Sequence, residues 1–308
     1  MTSMASQNFA DRLTSACREK RSTVCVGIDP RVSLLPSEFK PKRDTPNEQA
    51  QAIAAWAREL IAVVAPIVPV VKPQIAFFEA LGAAGVRAFH ETVIAAQEKG
   101  LVVIADVKRS DIGSTAEAYA EGLFGLMGAD AVTLNPYLGR DSLDPWLAHC
   151  RAAGRGVYVL VKTSNPGSSD LQDLWTGDAP LSRRVAKMVR EIGSDPSLVG
   201  KCGLSSVGAV TGATFPDELK QLREAMPHTP LLVPGYGAQG GTAADCAKAY
   251  LPGAMGAVVN SSRGLTFAFR SGAHAERFGD KRWRDSVAAA VYEMGDALAA
   301  VTGGPVPA

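Results

Sequence analysis

The chain has 308 residues, a hydrophobic fraction of 46%, 20% charged residues and a net charge of +1 from 32 Lys and Arg against 31 Asp and Glu. Such a chain buries a substantial core, which excludes a disordered or fibrous protein, and its balanced charge gives no broad field for a polyanion, so nucleic acid is not expected as a main partner. The longest apolar run, Ile61 to Val71, contains Pro66 and Pro69 and is too short for a membrane span of about 20 residues.

Residues Met1 to Ser22 form an N-terminal extension with scattered charges and no apolar core before a small-residue cleavage site, so a cytoplasmic location is expected. The run Thr23 to Ile28 opens a series of eight short β-branched segments, each followed by a stretch of helical periodicity. The others are Val68 to Lys72, Leu101 to Lys108, Ala131 to Asn135, Gly156 to Lys162, Gly203 to Val207, Pro230 to Val233 and Gly256 to Asn260. Most are continuously apolar rather than alternating, the pattern of parallel strands covered on both faces. Between the first two, Thr45-Pro46-Asn47-Glu48 predicts a capping box with Pro at N1, and Ala50 to Val64 supplies an apolar helix face. Gly100 and Gly154 fall where left-handed C-caps end helices. Strand and helix repeated eight times predict an α/β fold, a (β/α)8 TIM barrel in preference to a doubly wound open sheet. No linker divides the chain, so residues 1–308 are expected to form one barrel domain with a C-terminal helix around Asp285 to Val301.

Three longer connections, Pro30 to Asp44, Ser164 to Pro180 and Leu265 to Arg282, follow strands at their C-terminal ends. Barrel enzymes build their sites there, although plain surface insertions fit equally well. The five cysteines are far apart and lack a C-x-x-C pair, and the four histidines are dispersed, which suits reduced thiols and predicts no metal site.

Charged residues collect at the predicted strand ends: Asp29 after the first, Lys72 at the end of the second, Asp106 and Lys108 at the end of the third, and Asp111 three residues on. Asp106 and Lys108 are two apart on an extended chain and so share a face. One such pair alone reads as a rim salt bridge. Four charges converging on one opening without a ligand are costly, and a site explains them better, with the carboxylates keeping the lysines charged beside a proton donor.

At these residues the chain resembles the orotidine 5′-monophosphate decarboxylase family, in its longer bacterial branch. The run Asp106-Val107-Lys108-Arg109-Ser110-Asp111-Ile112-Gly113-Ser114-Thr115 resembles that family's D-x-K-x-x-D-I-x-x-T signature. Further matches follow the family's order: Gly27-Ile28-Asp29-Pro30, Lys72-Pro73-Gln74, Thr163-Ser164-Asn165-Pro166-Gly167, the loop Pro234 to Gly241, and Asn260-Ser261-Ser262-Arg263-Gly264. The resemblance implies a cytoplasmic homodimer acting in pyrimidine biosynthesis, converting orotidine 5′-monophosphate to UMP and CO2 without a metal or other cofactor. It implies that Lys108 protonates C6, that Lys72 and Asp106 hold it, and that Asp111 and Thr115 cross from the second subunit. Asp29 and Thr115 would hold the ribose, Ser164 the pyrimidine. The loop with Gly235, Gly237 and Gly240 would open its amides to a phosphate, joined by Gln239 and Arg263. Other readings stay open: a Schiff-base aldolase using Lys72 or Lys162, a metal-dependent sugar-phosphate decarboxylase, or a nucleotide-binding protein without turnover.

Overall fold

In the computed structural model, eight parallel strands close into a barrel, each beside its neighbour in sequence. They are β1 (Val24–Ile28), β2 (Val70–Pro73), β3 (Val102–Arg109), β4 (Ala131–Leu134), β5 (Gly156–Lys162), β6 (Val207–Thr211), β7 (Leu231–Val233) and β8 (Ala257–Ser261). Closure is made where Val24 pairs with Val259 and Cys25 with Asn260. The structure describes residues 7–307; residues 1–6 and 308, belonging to the expected extension and tail, lie outside the described residues.

The expected barrel is therefore present, with one strand displaced. The sixth begins at Val207 rather than Gly203. Gly203 sits in a turn at φ +80°, and the amides of Ser205 and Ser206 donate to the carbonyls of His228 and Leu198 in neighbouring loops. The β-branched residues that follow carry the ladder instead.

The helices are α1 (Phe9–Lys20), α2 (Pro46–Val64), α3 (Gly82–Glu98), α4 (Gly113–Ala120), α5 (Asp144–Ala153), α6 (Leu181–Gly193), α7 (Pro216–Ala225), α8 (Ala243–Ala247) and α9 (Trp283–Thr302), besides short helical turns. The predicted capping box at α2 is half made: the Thr45 hydroxyl accepts from the Glu48 amide at 3.3 Å, but the Glu48 carboxylate turns to the Arg43 amide at 2.8 Å. Gly154 caps α5 in the left-handed region at φ +59°, as its position predicts.

The N-terminal extension is more than an appendage. Asn8 caps α1 through the Ala10 amide and donates to the Leu198 carbonyl at 3.0 Å, laying the helix against the barrel. Phe9 is fully buried, edge-on to Tyr158 with ring centroids 6.0 Å apart, and a Cβ on Gly156 would lie 2.3 Å from its ring. Phe9, Leu13 and Cys17 share one apolar cluster with the barrel-lining Val70, Val102, Tyr158 and Val258. At the other end of the chain, the buried Trp283 of α9 packs on Phe39 and donates its indole N–H to Glu38 at 2.6 Å, fastening the first long connection. No helix among the described residues is long and apolar enough to cross a membrane. All five cysteines are free.

Candidate active site

The ladder between β3 and β4 breaks at the strand ends. Ala105 pairs with Val132, but the next pair is Arg109 with Leu134, so three residues of β3 stand opposite Thr133 alone. Within this bulge Lys108 adopts φ +44°, a left-handed conformation that costs an L-residue about 1–2 kcal/mol. The extended geometry expected for Asp106-Val107-Lys108 is thus corrected. Lys108 meets Asp106 because the chain turns there, its Nζ reaching Oδ1 at 2.5 Å.

From β2, the Lys72 Nζ donates to the other oxygen of Asp106, also at 2.5 Å. The Thr133 hydroxyl donates to Oδ1 at 3.0 Å and accepts from the amides of Val107 and Lys108, each at 3.0 Å. One carboxylate therefore holds two ammonium groups and a hydroxyl. Lys72 is 5% exposed and Asp106 6%, whereas the Lys108 side chain is 46% exposed. Lys108 is the member of the array whose side chain is open to solvent in the cavity.

Burial opposes the charge of Asp106, but the adjacent Lys72 and Lys108 outweigh it and hold its carboxyl well below the usual range. Burial likewise opposes the ammonium of Lys72, and the carboxylates of Asp106 and Asp29 reverse the balance and raise its pKa. A depressed carboxyl stabilises the fold above its unfolded pKa, and that stability is lost as pH falls toward the folded one. Asp106→Asn leaves Lys72 buried beside a neutral partner and is expected to cost about 3–5 kcal/mol at neutral pH. Urea unfolding from pH 7 to pH 3 checks this: the deficit should be constant above roughly pH 5 and shrink below about pH 4, where Asp106 of the wild type takes up a proton in the unfolded chain while staying ionised in the folded one. A deficit independent of pH would mean that charge is not its source.

The array lies in a cavity of about 680 Å³ at the C-terminal ends of the strands. Its inner wall includes Leu160, Val210 and Leu232. Asp29, after β1, lines it with a buried Oδ1 that has no hydrogen-bond partner, its carboxylate near enough to Lys72 to favour that ammonium. Ser164 faces it from the loop after β5, its carbonyl accepting from the Thr214 hydroxyl at 3.3 Å. Arg263 lines it after β8, and Gly235 and Gln239 after β7.

The loop after β7 is a wound turn. Gly235, Gly237 and Gly240 have φ +104°, +69° and +95°, values that favour glycine. The amides of Gly237, Gly240 and Gly241 donate to Gly241, Gly237 and Gly235 within the loop. Gly237 and Gly240 thus use their amides to build the turn, and the cavity is lined from this loop by Gly235, Tyr236, Ala238 and Gln239.

Asp111 and Thr115 are not brought to this cavity either. The Asp111 carboxylate accepts from the Ile112 amide at 2.9 Å, and both residues sit at the start of α4 beside the exposed Ile112 and Tyr119. Lys162, considered for imine chemistry, points away from the cavity. It is 1% exposed, pairs with Asp173, lies 3.2 Å from Glu218 and stands over the Phe215 ring. It fastens the loop after β5 to α7.

Two features escaped the sequence reading. Thr133 is a polar residue inside an apolar run, which is its only signal. Gln172 lines the cavity while its amide group bonds the Thr163 backbone at 2.9 Å and hydroxyl at 2.8 Å, closing the loop on itself. Nothing in its local sequence distinguishes it. Among the described residues, no group of three or more His, Cys, Asp or Glu side chains could hold a metal ion.

A closed parallel barrel with a lysine–aspartate–lysine array, Asp29 and Arg263 lining one cavity at its strand ends has the layout of a (β/α)8 enzyme. The match of residues 22–278 to the model of the Orotidine 5'-phosphate decarboxylase / HUMPS family narrows this class. The chain belongs to that family. It is 45% identical over 302 residues to orotidine 5'-phosphate decarboxylase of Rhodopirellula baltica, covering 94% of this chain and 98% of the relative. The enzyme of that name from Clostridium perfringens strain SM101 is 40% identical, covering 85% and 90%. Among solved structures, Leishmania donovani OMP decarboxylase superposes with a TM-score of 0.74 at 33% identity, covering 97% of this chain and all of that one (100%).

Proposed function

We propose that this chain decarboxylates orotidine 5′-monophosphate to UMP and CO2 in pyrimidine biosynthesis. The observation that carries the reading is the Lys72–Asp106–Lys108 array, in which two buried groups hold a third, accessible ammonium against the cavity. Cleavage of the bond from C6 to the carboxylate releases CO2 and leaves an electron pair on C6 that the ring cannot delocalise. A fixed ammonium stabilises that pair and then transfers a proton to it, leaving a neutral amine that regains its proton from water. Lys108 performs both steps, and Lys72 and Asp106 keep it charged and in place.

Asp29, with its vacant oxygen, accepts from a ribose hydroxyl; Ser164 faces the pyrimidine; Gln239 and Arg263 take the phosphate, with Gly235 giving backbone room and Gly237 and Gly240 shaping the loop. Asp111 and Thr115 lie outside their own chain's cavity and act in the site of a second copy. The exposed side chains Ile112 and Tyr119 on the same segment, with Tyr137 and Leu138 exposed after the neighbouring strand β4, suit a homodimer face. Residues 1–308 act as one barrel domain. Five free thiols, four of them buried, suit the cytoplasm.

The imine reading is weakened by the same geometry, because a Schiff-base lysine needs a neutral amine and Lys72 is held in the opposite state. Turnover followed by orotidine 5′-monophosphate absorbance in chelator-treated protein tests the proposal: persistent turnover supports it, whereas no release of CO2 with retained UMP binding favours a protein that only binds nucleotides. Arg263→Ala is expected to weaken UMP by about 1.5–3 kcal/mol, the worth of a charge-assisted bond, and to leave uridine nearly unchanged. Calorimetric titration of both ligands checks this; equal losses would refute the phosphate assignment.

A further inference from the structure

The bulge at the end of β3 leaves the amides of Val107 and Lys108 without the carbonyls that a regular ladder would offer them, since three residues face one across the strand pair. A buried amide without a partner is rare and costly. Both are satisfied by one atom, Thr133 Oγ1, at 3.0 Å each, and the same hydroxyl spends its proton on Asp106 Oδ1 at 3.0 Å. A threonine hydroxyl has one donor and two acceptor sites, and all three are used. Thr133 is 1% exposed.

From this saturation we infer that Thr133 is a positioning residue for the decarboxylation proposed above, on which the kinetic part of the inference rests. Its hydroxyl pins the turn that carries Lys108 at φ +44° and, through the same oxygen, fixes the rotation of the carboxylate that Lys108 leans on. Backbone and counter-ion are locked to one atom. The Lys108 Nζ is thereby held at one place over the cavity rather than swinging on a four-carbon stem.

The side chain at this position must satisfy three conditions: a hydroxyl to accept twice and donate once, a length that places it inside the bulge, and a branched body that fits a buried strand. Serine meets the first two. Valine meets only the last, and alanine none of them.

The test compares Thr133→Val with Thr133→Ser by steady-state kinetics, UMP titration and backbone amide exchange. Thr133→Val is expected to lower kcat by about 10²-fold, the usual consequence of misplacing a reacting group by an ångström, with UMP affinity within about threefold. Thr133→Ser should recover kcat to within about tenfold of wild type. Independently of activity, the amides of Val107 and Lys108 should exchange at least about tenfold faster in Thr133→Val and stay protected in Thr133→Ser. Where Thr133→Val does not fold, Thr133→Ala, which leaves room for water at the two amides, is measured in its place and read the same way. An unchanged kcat in the valine or alanine variant overturns the inference. So does a parallel loss of kcat and UMP affinity that serine does not rescue, because a general packing defect gives that pattern. If wild-type protein shows no turnover, the proposed reaction fails, and amide exchange alone decides whether Thr133 pins the turn.

Discussion

Lys108→Ala is expected to abolish measurable turnover of orotidine 5′-monophosphate in a protein that still folds. The side chain is half exposed, so little packing is lost with it. What disappears is chemical: the proton donor, worth about 10²–10⁴-fold, and the preorganised charge facing C6, worth about another 10²–10³-fold. Together these predict a fall in kcat of at least about 10⁴-fold, and UMP, which lacks the reacting carboxylate, should still bind. Lys108→Gly sharpens the experiment. It removes the same ammonium while relieving a left-handed backbone that favours glycine, so the protein should be no less stable than Lys108→Ala and equally inactive. Near-normal activity in either folded variant would eliminate Lys108 as the proton donor.

The second large effect is a gain of activity from two dead proteins. If each site takes Lys108 from one subunit and Asp111 from its partner, a hybrid of Lys108→Ala and Asp111→Ala subunits has one doubly damaged site and one intact site. Random exchange of equal amounts makes about half the dimers hybrid, each with about half its sites working, so the mixture should recover roughly a quarter of wild-type activity. Differently tagged chains verify the exchange. Hybrid dimers that form and remain inactive would place Asp111 in the site of its own chain and refute the shared site.

Much of this was legible in the sequence because parallel barrels repeat one physical motif: an apolar run covered on both faces, then a helix. Lys72, Asp106, Lys108 and Asp29 could be singled out because each ends or directly follows such a run, which is where a barrel puts its chemistry, whereas Gln239 and Arg263 stand in the loops after the seventh and eighth runs and were singled out with the help of the resemblance. The sixth strand slipped because Gly203 to Val207 and Val207 to Thr211 are both short, small-residue segments, and the choice between them is made by loop hydrogen bonds distant in sequence. Thr133 gave only the faint signal of a polar residue in an apolar run for a related reason: its importance depends on a register shift between two strands, which neither strand encodes alone. The same holds for Lys162, whose type and position suited a nucleophile but whose surroundings, Asp173, Glu218 and Phe215, come from loops and a helix far along the chain.

The seat of α1 has a consequence for how the molecule assembles. Its anchors lie late in the chain: Asn8 bonds the carbonyl of Leu198, a separation of 190 residues, and the Asp11 carboxylate accepts from the amide of Cys202, a separation of 191. Ring closure between β1 and β8 is more distant still. During vectorial synthesis the apolar face of Phe9, Leu13 and Cys17 lacks the Tyr158 ring until half the chain exists, and α1 lacks its polar anchors until about residue 200, so the entropy of closing so long a loop is paid before they form. Truncated or stalled chains that end before about residue 158 therefore carry an apolar helix face without its main aromatic partner, and those that end before about residue 200 hold α1 without its late polar anchors, so chaperone demand during expression should track that interval rather than the stability of the finished enzyme.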